Sequence, residues 1–98
     1  MYLRVHENEA GPIVAVCDRE LIGRILEEGK VHMDLDKYRE FYIGKQAGED
    51  DVKNALKEFS SANLVGKKAV GVALSLELAA SEDVMYINET PYIQIYRI

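Results

Sequence analysis

Two apolar, β-branched runs open the chain, Tyr2 to Glu7 and Pro12 to Cys17, and both read as strands. Between them Asn8-Glu9-Ala10-Gly11 carries turn chemistry, since Asn tolerates the left-handed region and Gly supplies positive φ. Pairing Glu7 with Ile13 places Leu3, Val5, Ile13, Ala15 and Cys17 on one face. Arg4 and His6 then share the other face with Val14 and Val16, and a slip of one residue exchanges the two faces. Leu21, Ile22, Ile25 and Leu26 follow at helical spacing. The spacing predicts a helix with Asp18 as N-cap, Gly23 in its interior and Gly29 just past its end. Val31, Met33 and Leu35 alternate with His32 and Asp34, a third strand, and Tyr38 to Gly44 is an aromatic-rich connection.

The second half begins with acids. Glu49, Asp50 and Asp51 suit the positive end of a helix dipole, and Val52, Ala55, Leu56 and Phe59 form the i, i+3, i+4, i+7 stripe of that helix. Ser60-Ser61-Ala62-Asn63 is read as its end. From Ala69 to Ala80 both periods fit, and length and alanine content favour a helix. Val84 to Asn88 and Tyr92 to Ile98 close the chain as a hairpin around Asn88-Glu89-Thr90-Pro91. The resulting order, ββαβααββ, predicts a single α+β domain over residues 1–98, with a mainly antiparallel sheet and helices packed on one face.

Composition narrows the function classes. Leu, Ile, Val and Phe fill 28 of 98 positions, enough for a folded core. Uncharged stretches such as Ala69 to Leu76 fall far short of the ~20 residues of a membrane span, and charges interrupt the first ten positions, so neither a membrane anchor nor a secretory signal is expected. One cysteine, Cys17, fits a reducing cytosol and a cytoplasmic protein. The net charge is −5, spread along the chain, and Lys67-Lys68 is the densest basic element. Duplex DNA binding needs a larger basic cluster, so a protein or ribonucleoprotein partner is the better fit.

Three groups of residues are candidates for chemistry. Cys17 and Asp18 stand at a strand-to-helix junction that can activate a thiol, with His6 as the base; the plain reading is a buried cysteine beside an N-cap, and it is preferred. No ligand-motif spacing supports a metal site. Asn63-Leu64-Val65-Gly66 with Lys67 and Lys68 forms a polar-to-glycine connection between helices whose backbone N–H groups can hold an anion; the plain reading has Asn63 capping the next helix and Gly66 permitting a tight junction. Tyr92, Gln94 and Tyr96 alternate along the last strand and, joined by Tyr86 and the Arg4/His6 face, would make an aromatic platform for bases or for a protein.

Four ordered blocks carry a family resemblance: Cys17-Asp18-x-Glu20-Leu21-Ile22-Gly23, Phe41-Tyr42-x-Gly44, Ser61-Ala62-Asn63-Leu64-Val65-Gly66 with Ala69-Val70, and Pro91-x-x-Gln94-Ile95. Together they resemble the archaeal family catalogued as domain of unknown function 424, across nearly the whole chain. The resemblance implies a small cytoplasmic archaeal protein of α+β fold and a helix over Ala69 to Ala80. It implies no activity, cofactor or catalytic residues. Where the family commonly has a glycine in its last hairpin turn, this chain has Glu89-Thr90.

The expected function is accordingly a non-enzymatic interaction module without cofactors. It docks on a cytosolic translation or RNA-processing assembly through Asn63, Gly66, Lys67, Lys68, Tyr92, Gln94 and Tyr96. The alternative is a small ligand-binding protein or enzyme with its site around Cys17, Asp18 and His6. A homodimer paired through the C-terminal strand as a sheet edge is a third arrangement.

Overall fold

The computed structural model describes residues 1–97. Its first half comprises β1 (Tyr2–His6), β2 (Ile13–Cys17), a 3-10 turn (Arg19–Leu21), β3 (Ile25–Glu28), β4 (Val31–Asp34), α1 (Arg39–Tyr42) and β5 (Lys45–Gln46). The second comprises α2 (Glu49–Ala55), β6 (Ser61–Val65), α3 (Lys67–Ser75), a second 3-10 turn (Ser81–Asp83), β7 (Met85–Ile87) and β8 (Thr90–Tyr96). Six strands form one sheet in the order β5-β1-β2-β6-β8-β7, and β3 and β4 form a separate hairpin. Only β2 and β6 run parallel in the main sheet, so the architecture is α+β with a mainly antiparallel sheet.

Both faces of the sheet are covered. α2 and α3 bury Val52, Leu56, Val70 and Val72 against Leu3, Val14, Val16, Leu64 and Ile93 on one face. The β3–β4 hairpin and the four-residue α1 cover the other, where Leu26, Leu35 and Tyr42 meet Ala15, Cys17, Val65 and Ile87. Burial of this much aliphatic surface on two sides is the main stabilising term for a chain of this length.

Four sequence expectations change. The β1–β2 register is His6 opposite Ile13, one residue from the expected pairing. The slip puts Leu3 with Val14 and Val16 under the helices and leaves Val5 exposed on the same face, and it puts Arg4 and His6 with Ala15 and Cys17. Residues 18–29 are a 3-10 turn and a strand instead of a helix. Gly23 adopts φ +91°, outside the helical region, and Asp18 caps elsewhere. Ser61–Val65 is a central strand, not a link between helices; Ala62 and Leu64 are buried beneath the helices while Ser61 and Asn63 alternate to the other face. The C-terminal strand is an edge only in part: β8 lies between β6 and β7 over Thr90–Tyr92, whereas Ile93, Gln94, Ile95 and Tyr96 pair with β6 alone; the expected reach to Ile98 lies outside the described residues. Among the described residues no helix is long and apolar enough to cross a membrane.

Candidate functional site

Asn63 occupies the middle of β6 with Ala15 of β2 on one side and Gln94 of β8 on the other. Its neighbours on this face, Ala15, Cys17 and Val65, are buried, so a primary amide here interrupts an apolar surface in a poor strand former. Gln94 Nε2 donates to Asn63 Oδ1 at 2.7 Å. A primary amide has two donors and a carbonyl acceptor, so the pair keeps the Asn63 NH2 group and the Gln94 carbonyl for another molecule. Rotating both amides reverses their order and leaves the same inventory.

The hairpin and α1 stand apart over this pair. Two adjoining clefts, of about 240 and 360 Å3, share Met33, Tyr42, Asn63 and Gln94. One is walled by Val31, His32 and Met33 of β4, the other by Tyr38 and Phe41 around α1. Phe41 meets the Tyr42 ring edge-on at 5.1 Å and stacks on His6 at 4.6 Å, while His6 Nε2 donates to the Phe41 carbonyl at 2.8 Å. These contacts fix the aromatic wall. At the rim, Asp34 Oδ1 accepts from the N–H groups of Lys37 at 2.8 Å and Asp36 at 3.0 Å. The Lys37 bond is the larger cause of the lowering of the Asp34 pKa. His32 meets Glu27 at 3.1 Å with both side chains largely exposed, a weak pair in water.

The expected surface divides between the two faces of the sheet. Tyr92, Gln94 and Tyr96 share the cleft face, with Gln94 and Tyr96 exposed, whereas Tyr86 pairs with Pro91 and points to the opposite side. Tyr86 therefore does not join the platform, and Arg4 and His6 reach the same face three strands away, on β1. Lys67 and Lys68 lie at the start of α3, beside a groove of about 540 Å3 that Met1, Ala47 and Gly48 help line on the helical side. The anion cradle expected at this helix start is filled. Asp18 Oδ2 accepts from Lys68 N at 3.0 Å and Oδ1 from Ala69 N at 2.9 Å, so Asp18 rather than Asn63 is the cap. Gly66, at φ +109°, makes the turn that brings them together.

Cys17, Asp18 and His6 do not converge. Tyr2 is opposite Cys17 and His6 is opposite Ile13, so the histidine stands four strand positions along the ladder, about 13 Å away. Burial, with the Asp18 and Glu20 carboxylates adding to it, pushes the Cys17 thiol up to about 12. Its Sγ–H donates to the Asp18 carbonyl at 3.4 Å. Burial and the raised pKa both disfavour the thiolate, which is the nucleophilic form. Among the described residues no three His, Cys, Asp or Glu side chains gather as metal ligands would.

Tyr38, Phe41 and Tyr42 escaped the sequence reading as site residues. Their i, i+3, i+4 spacing was the signal, since one helical turn brings all three to the cleft.

The fold and cleft together define a two-faced α+β domain whose central sheet presents a polar pair beneath an aromatic wall. The chain belongs to the family described as "Protein of unknown function (DUF424)", which it matches over residues 5–98. It is similar to a solved structure, the crystal structure of an uncharacterized conserved protein from Methanopyrus kandleri, with 23% identity and a TM-score of 0.79. That similarity covers 97% of this chain and 89% of the other, and it speaks for the fold alone. No curated protein matches the chain.

Proposed function

We propose that this protein is a non-enzymatic interaction module of the cytosol that docks on a larger protein or ribonucleoprotein assembly through the Asn63–Gln94 cleft. The observation that carries this reading is the amide pair. A half-buried Asn and its Gln neighbour hold each other in place on a central strand and keep donor and acceptor capacity facing an open, aromatic-walled cleft. Lys67 and Lys68 fall outside this surface, on the helical side. The buried, proton-holding Cys17 favours binding over covalent chemistry.

The test is an affinity pull-down from archaeal extract with the tagged protein and its Asn63→Ala/Gln94→Ala variant, with and without nuclease. A defined assembly recovered by the native chain and lost by the variant, at unchanged far-UV circular dichroism, supports the module. Loss on nuclease treatment identifies the assembly as a ribonucleoprotein. Equal recovery by both proteins refutes the assignment of the surface.

A further inference from the structure

Resting on the docking reading, we infer that the Asn63–Gln94 cleft takes an extended, neutral-to-basic segment of another polypeptide, bound as an added strand along the open edge of β4.

The ladder phase of the hairpin leaves one edge of β4 open. Leu35 N donates to the Arg24 carbonyl at 2.8 Å, and the register pairs Leu26 with Met33 and Glu28 with Val31. In an antiparallel pair, hydrogen-bonded positions alternate with open ones. Val31, Met33 and Leu35 therefore bond toward β3, and the His32 N–H and C=O point away from it. Among the described residues β4 has no second strand partner, and no other group takes the His32 backbone donor or acceptor. An unpaired edge of this kind is a template for an incoming strand. It borders the cleft that Asn63 and Gln94 floor.

The hydrogen-bonding groups of the cleft floor match those of a peptide backbone. A peptide group offers one N–H and one C=O, and the amide pair offers one acceptor and one NH2 group on the same cleft floor. Side-chain amides can thus hold the backbone of a guest whatever its sequence, while the Met33, Tyr38 and Phe41 walls select its side chains.

Charge decides between polypeptide and nucleic acid. Among the described residues the cleft lining holds no Lys or Arg; its formal charge is that of Asp34, and His32 is already engaged with Glu27. With the whole chain at −5, a phosphate backbone is repelled and a segment carrying Lys or Arg beside Asp34 is attracted.

The probe is a phage-displayed library of random peptides about twelve residues long, selected on the native protein after depletion on the Asn63→Ala/Gln94→Ala variant. The enriched peptide, synthesised and followed by fluorescence anisotropy, is expected to bind the double variant roughly ten-fold more weakly, and N-methylation of one central peptide nitrogen should cost a similar factor. His32→Pro removes the outward N–H without breaking a rung of the hairpin ladder and should weaken binding by a comparable factor, checked at unchanged circular dichroism. Absence of any sequence enriched over the depleted target overturns the inference. So does a peptide indifferent to both variants, or preferential binding of short oligo-A or oligo-U RNA at the same residues. Should the pull-down succeed while selection fails, the docking reading stands and the added strand falls; the converse removes the assembly and leaves the strand site.

Discussion

The Asp18 carboxylate occupies the space that a side chain on Gly66 would need: a Cβ built there overlaps its carboxylate carbon. The contact joins residues 48 positions apart. Gly66 turns the chain at φ +109° from β6 into α3, and Asp18, only 2% exposed, closes the first turn of that helix through Lys68 N and Ala69 N. The Asp18 N–H also donates to the Val65 carbonyl at 3.0 Å, so the strand end and the helix start are held by one residue. Asp18→Ala removes two charge-assisted hydrogen bonds and is expected to destabilise by about 2–3 kcal/mol. Gly66→Ala adds overlap to backbone strain and should cost about 3 kcal/mol. Asp18→Gly relieves the overlap, so Asp18→Gly/Gly66→Ala should be less destabilised than the sum of its single changes, by roughly 1 kcal/mol or more. Urea unfolding measures all four proteins, and strict additivity refutes the steric account.

The β7–β8 turn gives a prediction of opposite sign. Asn88 and Glu89 both adopt positive φ, +48° and +66°, the requirement of a two-residue turn whose twist matches the strands it joins. Asn tolerates this region; Glu does not, and the left-handed conformation costs it about 1–2 kcal/mol. Glu89→Gly returns part of that to the greater freedom of an unfolded glycine, leaving a net stabilisation of about 0.5–1 kcal/mol. For a domain of this size the melting temperature should rise by roughly 2–8 °C, readable by circular dichroism. A fall in Tm would show that the Glu89 side chain matters more than its backbone.

These two junctions show what local sequence can and cannot report. The position of the last hairpin turn was legible because turn residues act on their immediate neighbours, although the turn is Asn88-Glu89 and the expected Thr90 and Pro91 already belong to β8. Asp18 was legible as a cap but not for which helix, because the helix it caps starts 49 residues further on. The Leu21–Leu26 run imitated a helix because two of its apolar residues do different work; Leu26 is buried and Ile25 is 54% exposed, an alternation that became visible only once β4 was beside it. Ser61 and Asn63 imitated a loop for a related reason. Polar residues on a buried central strand contradict the usual pattern, and that contradiction marks the cleft. Asn63 and Gln94 are thus candidates on sequence alone, but their hydrogen bond depends on a strand pairing that neither segment encodes alone.

Burial sets the chemistry of Cys17 and a pH limit on stability. The thiol rises from an ordinary 9.0 to about 12 and the Tyr42 phenol from 10.0 to about 12, each chiefly by desolvation. Both folded values lie above the unfolded ones, so between about pH 9 and 12 the unfolded chain releases protons that the folded chain keeps. The unfolded state then binds fewer protons, and stability falls as pH rises through that window while remaining unaffected by these groups below it. Cys17→Ala should remove the part that begins near pH 9 and leave the Tyr42 part, which begins near 10. In parallel, alkylation of native Cys17 by iodoacetamide at pH 7.0–8.5, about the range where an exposed thiol begins to react, should proceed only at the rate of opening. Fast, pH-dependent labelling at neutral pH would return Cys17 to the list of reactive groups.

Asn63 separates binding from stability most directly. On β6 it faces a surface whose other members, Ala15, Cys17 and Val65, are apolar and buried, and its one side-chain partner, Gln94, is itself exposed to water. A β-branched residue of similar size fits the pleat better and removes a half-buried amide that only Gln94 satisfies. Asn63→Val is therefore expected to raise stability by about 0.5–1 kcal/mol in urea unfolding while abolishing recovery of the docked assembly. The combination is diagnostic, because an amide kept for folding would cost stability when replaced. A destabilised Asn63→Val that still recovers the assembly would place the contact surface elsewhere and leave the amide pair a packing device.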